Sequence, residues 1–161
     1  MKQRILFVCL GNICRSPAAE GLLRTMLERE GLAEHFDIDS AGTYGGHAGD
    51  MSDPRMREAA YSRGYLLTHR SRRIEEEDFF IFDRIIVMDD NNFRDVERLA
   101  PSPEDRAKIE RFADLCRNHP DVHYVPDPYY EGREGFYKVL DILEDGCRTI
   151  IDAYKAKQDI Q

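Results

Sequence analysis

Apolar and polar positions change period several times along the chain, and each change marks an element. Residues 4 to 8, RILFV, form a short apolar, β-branched run that predicts a buried strand. From Ser16 the period becomes 3.6, with Ala19, Leu22, Leu23, Met26 and Leu27 on one face until Gly31. Ser16 is placed to cap this helix, and Pro17 suits its first position. FDIDSAG, residues 36 to 42, predicts a second strand, followed by the glycine-rich loop TYGGHAGD. Asp53-Pro54 then opens a second helix that stops near Gly64. FDRIIVMD, residues 82 to 89, is wholly apolar at its centre, as parallel strands covered on both faces are.

Between 92 and 125 two assignments compete. Ile109, Phe112, Ala113 and Cys116 fall at helical spacing, yet IERF at 109 to 112 also fits a short strand, and VHYV at 122 to 125 is its rival. Beyond them Phe136, Val139, Leu140, Leu143, Cys147, Ile150, Ile151 and Tyr154 line one face of a long C-terminal helix. Strands alternating with helices predict an α/β fold in a single domain over residues 1–161: an open, mostly parallel sheet with helices on both faces. Ligands of such a sheet sit beyond the carboxyl ends of its strands.

Composition narrows the class. A chain of 161 residues holds one domain with a real core; 42% hydrophobic and 34% charged residues are ordinary for a globular protein in water. No apolar stretch reaches the roughly 20 residues that span a bilayer, and MKQRILFVCLGN lacks the long apolar run of a secretory signal. A net charge of -8 argues against general affinity for nucleic acid or anionic membranes. HRSRR, residues 69 to 73, runs straight into EEED and is expected to be a solvated face. Cys9, Cys14, Cys116 and Cys147 form no C-x-x-C pair, which predicts reduced thiols in a cytoplasmic setting.

The chemistry concentrates between the first strand and the first helix. Helix N-termini expose unpaired N–H groups and partial positive charge, and Gly11 and Asn12 suit the dihedrals that turn successive amides inward, so this loop predicts an anion cradle. Arg15 adds a planar fork for two phosphate oxygens. Cys9, at the base of this electropositive bowl, is expected to act as a thiolate nucleophile, with the Ser16 hydroxyl to steady it. A bare C-x5-R is common by chance; here the cysteine ends a strand, the arginine precedes a helix, and glycine sits where the turn must be.

Ester cleavage also needs a proton donor for the leaving oxygen. Asp127, in VPDPYYEG, is the best candidate, because flanking prolines restrict its backbone and the C-terminal helix anchors its loop; taken alone, Asp-Pro marks a turn. Tyr129, Tyr130 and Tyr44 are candidate flat walls for an aromatic substrate. A phosphate-sensing module would need neither a reactive Cys9 nor a placed Asp127.

VCLGNICRSP, from Val8 to Pro17, together with DPYY, from Asp127 to Tyr130, resembles the low-molecular-weight protein tyrosine phosphatases. SAGT from Ser40, His69-Arg70 and Met88-Asp89 extend the likeness nearly end to end. The resemblance implies a four-stranded parallel sheet and hydrolysis of phosphotyrosine in proteins, with release of inorganic phosphate and no metal or cofactor. It implies Cys9 as a nucleophile that forms a cysteinyl-phosphate, Arg15 as phosphate clamp and Asp127 as acid, then base. Leu10, Gly11, Asn12, Ile13, Cys14, Ser16, Tyr44, Tyr129 and Tyr130 are then substrate-binding positions, with Asn12, Ser16, Ser40 and His69 also holding the loop in shape. The family pattern favours IERF as the fourth strand and a reversible disulfide between Cys14 and the nucleophile. Arginine phosphatases resemble this loop but carry threonine where this chain has Ile13, and arsenate reductases need further cysteines that are missing between Cys14 and Cys116. The chain departs from the family pattern mainly over residues 112 to 126.

Two further spacings suggest metals and fail on chemistry. Cys116, His119 and His123 are interrupted by Pro120 and lack a fourth ligand, and DDNNF places Phe93 and Arg94 where a calcium loop needs oxygen and glycine. The glycines lack G-x-G-x-x-G spacing and no Walker lysine is present, which weakens a nucleotide-binding reading.

Overall fold

Alternation along the strands decides the layers. In β1 (Gln3–Cys9), Ile5, Phe7 and Cys9 face one way and Leu6 and Val8 the other, and all five are buried, so both faces of this strand must be covered. The computed structural model describes residues 2–160 and supplies both covers. On the first face lie α1 (Arg15–Arg29), α2 (Pro54–Ser62) and α6 (Arg133–Ile160). On the second, Phe79 of α3 (Asp78–Ile81) and Val96 of α4 (Asp90–Leu99) pack against Leu6, Val8, Ile85 and Val87. A short α5 (Pro103–Arg106) precedes the last strand.

The sheet adds β2 (Phe36–Gly42), β3 (Arg84–Val87) and β4 (Ile109–Arg111), in the order β2-β1-β3-β4, with every pairing parallel. The chain leaves β1 toward β2 on one side and later returns to β3 on the other. The crevice beyond Cys9 is therefore the topological switch point, where open α/β sheets bind ligands.

The competition near the fourth strand resolves in favour of Ile109–Arg111, with Phe112–Leu115 closing into a 3-10 turn. VHYV forms no strand, although Val125 N–H donates to the Met88 carbonyl at 2.8 Å and so ties the next loop to the end of β3. Two other expectations need correction. Ser16 does not cap α1: Cys14 holds the cap position, and the Ser16 side chain points back under the loop. HRSRR is a solvated face only at Arg70 and Arg73: its backbone pairs with Gly42 and Met51, and His69, Ser71 and Arg72 turn inward to brace the site. Among the described residues, no helix is long and apolar enough to cross a membrane.

Candidate active site

Residues 9–15 join the carboxyl end of β1 to α1, and one unusual backbone conformation shapes this link. Asn12 has φ 57° and is the only non-glycine residue with positive φ among those described. Left-handed backbone costs energy for most side chains, and asparagine tolerates it best when its amide is locally bonded. Here every polar atom of Asn12's side chain is used. Its Nδ2 donates to Ser16 Oγ (2.8 Å) and Ser40 Oγ (3.0 Å), and its Oδ1 accepts from His69 Nε2 (2.8 Å) and Arg72 N (3.0 Å). Ser71 Oγ donates to the Asn12 carbonyl. Gly11 lies outside the left-handed region; its missing side chain matters because a Cβ there would sit 3.1 Å from His47 Cδ2.

The brace continues outward. Ser40 Oγ donates to Glu20 Oε1 at 2.8 Å, and His69 Nδ1 lies 3.2 Å from the same oxygen and 3.4 Å from Asp39 Oδ1. Glu20, Asp39 and His69 thus converge, with their polar atoms engaged in holding the loop.

Above this base Cys9 is 2% exposed, with Sγ 3.0 Å from Ser16 Oγ and accepting from Ser16 N at 3.4 Å. Arg15 is buried as well. Its Nη1 donates to Asp89 Oδ2 at 2.7 Å and to the Val125 carbonyl at 3.0 Å, while Nη2 lies 3.7 Å from Asp127 Oδ2. Burial opposes the Arg15 charge, but the Cys9 sulfur, Asp89 and Asp127 outweigh it and raise the guanidinium's pKa. Burial, reinforced by Asp53, pushes the pKa of the loop's other thiol, Cys14, up and favours its neutral form.

These groups open into a hollow of about 240 Å³ lined by Cys9, Leu10, Gly11, Ile13, Cys14, Arg15, Tyr44, His47, Asp127, Tyr129 and Tyr130. Thr43 N donates to the Cys9 carbonyl and Tyr44 N to that of Leu10, which sets Tyr44 beside the loop. Asp127 Oδ1 accepts from Tyr129 N at 3.1 Å, so the acid and the neighbouring ring share one turn. Tyr130 stacks edge-on against Tyr129, with centroids 5.0 Å apart, and is otherwise in solvent.

Cys9, Arg15 and Asp127, distant in sequence, therefore meet in one hollow with Leu10, Gly11, Ile13, Cys14 and the three tyrosines. Asn12 and Ser16 do not line it and act from below. Sequence reasoning missed His47, hidden in a loop without periodicity, and missed the partnership of Asp89 with Arg15. The position of Asp89 at the carboxyl end of a parallel strand was the available signal for the latter.

The chemistry open to these groups is narrow. A sulfur can attack, a guanidinium can neutralise tetrahedral oxyanions, and a carboxyl can supply a proton; together they meet the needs of a thiol-dependent phosphate-ester hydrolase. Comparison with known proteins gives the family: residues 4–160 match the low molecular weight phosphotyrosine protein phosphatases, and the chain belongs to that family. These are phosphoric monoester hydrolases that work through a cysteinyl-phosphate. A Schizosaccharomyces pombe low molecular weight phosphotyrosine protein phosphatase is 44% identical over 153 residues, covering 91% of this chain and 96% of the relative. The crystal structure of a protein tyrosine phosphatase from Entamoeba histolytica superposes with a TM-score of 0.92 at 41% identity, covering 98% and 99% of the two chains. That of a Drosophila arginine phosphatase gives a TM-score of 0.87 at 30% identity over 96% and 98%.

Proposed function

We propose that this protein hydrolyses phosphotyrosine in phosphoproteins, with Cys9 as nucleophile, Arg15 as phosphate clamp and Asp127 as acid and then base. Cys9 Sγ attacks phosphorus; the S–P bond forms as the P–O bond to the phenol breaks, and Asp127 gives its proton to the departing oxygen. Asp127 then takes a proton from water, whose oxygen attacks phosphorus, and the S–P bond breaks to release inorganic phosphate and the thiolate. Arg15 and the loop amides hold the equatorial oxygens through both steps.

The observation that carries this reading is the meeting of Cys9, Arg15 and Asp127 in one hollow walled by Tyr44 and Tyr129. Ile13 supports a ring as leaving group, since an apolar side chain in the wall suits a phenyl face better than a guanidinium. No metal, cofactor or nucleic acid enters the scheme, and a thiol nucleophile suits the reducing cytoplasm. A side-by-side assay on phosphotyrosine, phosphoserine and phosphoarginine peptides tests it. Preference for phosphotyrosine is expected, and faster turnover of phosphoarginine overturns the substrate assignment.

A further inference from the structure

Tyr129 walls the hollow from a loop that gives it little support. Within residues 126–132 the backbone bonds are Tyr129 N to Asp127 Oδ1 and Glu131 N to the Pro128 carbonyl, and the ring is partly in solvent. A mobile wall would select poorly between aryl and alkyl esters, so what steadies the ring bears on specificity.

The steadying group comes from the start of α2. Asp53 is buried, caps that helix through Arg55 N (2.8 Å), and accepts from Arg55 Nε at 3.0 Å and Nη2 at 2.8 Å. Its own N–H donates to the Ile13 carbonyl at 2.8 Å, so the cap is fastened to the phosphate loop. The Arg55 fork, fixed by this two-point clamp, places Cζ 5.2 Å from the Tyr129 ring centroid and 4.8 Å from that of Phe136 in α6. On its other side Arg55 lines, with Ala59, Phe136 and Tyr137, a second hollow of about 180 Å³. An unbroken chain of contacts thus runs from Ile13 through Asp53 and Arg55 to Tyr129.

We propose that Arg55 is a positioning residue for aryl selectivity: clamped by Asp53, it holds the Tyr129 ring as a fixed wall of the substrate slot. This rests on the assignment of Tyr129 to the substrate wall. Arg55 touches no reacting atom; it restricts where the ring can go.

The test compares Arg55→Met, Arg55→Lys and Tyr129→Ala on a phosphotyrosine peptide and on a small alkyl phosphate. Inhibition by inorganic phosphate is read alongside. Arg55→Met is expected to raise KM for the aryl substrate about three- to tenfold, with kcat, alkyl-phosphate KM and phosphate inhibition within about twofold of the parent. Arg55→Lys keeps the charge but not the planar fork and should not restore the parent KM; full recovery by lysine overturns the proposal. With Tyr129→Ala already present, Arg55→Met should add nothing further. Should Tyr129→Ala raise the aryl KM while Arg55→Met does not, the positioning role falls and the wall assignment stands; an unchanged KM in Tyr129→Ala removes both. If Arg55→Met fails to fold because Asp53 is left unpaired, Asp53→Asn/Arg55→Met removes the orphaned charge, keeps a capping side chain, and is held to the same expectations.

Discussion

Asp89→Asn isolates the contact that aims Arg15, the proposed phosphate clamp. Asp89 uses its oxygens for different tasks: Oδ1 accepts from Asn92 N as the cap of α4, and Oδ2 accepts from Arg15 Nη1 at 2.7 Å. Asparagine caps a helix about as well as aspartate, so an amide that keeps Oδ1 on Asn92 turns its N–H groups toward Arg15, donor against donor. The Arg15 side chain is 3% exposed, and water cannot readily replace the lost acceptor. A hydrogen bond between charged groups contributes about 1.5–3 kcal/mol, and loss of that amount from transition-state binding lowers kcat/KM roughly 10- to 150-fold. Steady-state kinetics on an aryl phosphate, with urea unfolding run in parallel, reads both effects. The expected result is a fall in kcat/KM of that size together with a loss of folding stability, because the buried guanidinium is left facing a donor. A value within about twofold of the parent would show that Arg15 is aimed without Asp89, and the account of the clamp would be wrong.

Other consequences follow from the same geometry. Asp127→Asn should slow esters of poorly acidic alcohols roughly 10²- to 10⁴-fold and those of highly acidic phenols far less, since only the former need the proton; equal slowing places the acid elsewhere. Iodoacetate between pH 6 and 8 should alkylate Cys9, with protection by phosphate, while Cys14 stays unmodified because burial and Asp53 favour its neutral thiol; peptide mapping that finds equal labelling refutes this contrast. Gly146→Ala should destabilise despite alanine's better helix propensity, because the new Cβ would lie 2.2 Å from the buried Phe112 ring; overpacking costs about 1–3 kcal/mol against about 1 kcal/mol gained. In a Phe112→Leu background the same change should cost less, and equal costs in both backgrounds would exclude the clash.

The fold was legible where burial imposes a period. RILFV and FDRIIVMD announce strands covered on both faces, and the stripe from Phe136 to Tyr154 announces the helix that covers one of them. Ser16 misled because a serine before a proline has the composition of a cap, whereas here its hydroxyl is drawn to Cys9 and Asn12, a tertiary demand with no local signature. HRSRR misled for a related reason. Its charge pattern is that of a wet surface, but His69 and Arg72 meet Asn12, Asp39 and Asp78 across loops that only folding brings together. IERF and VHYV could not be separated by periodicity, since both are short apolar runs, and sheet pairing at the β3 edge decided between them. At the site, the strand–loop–helix context pointed to Cys9 and Arg15. Asp127 joined them only through topology, with Val125 docking its loop onto the end of β3.

The central claim is that Cys9 carries the phosphoryl group. If Asp127 is both acid and base, Asp127→Asn slows attack by water on that intermediate, while an ester of a highly acidic phenol still forms it without the proton. A denaturing quench of this variant during turnover of such an ester, labelled in its phosphate, should therefore trap it. Peptide mapping is expected to find close to one phosphate per chain on Cys9. Label on another residue, or none during measurable turnover, would contradict a sulfur nucleophile at this position.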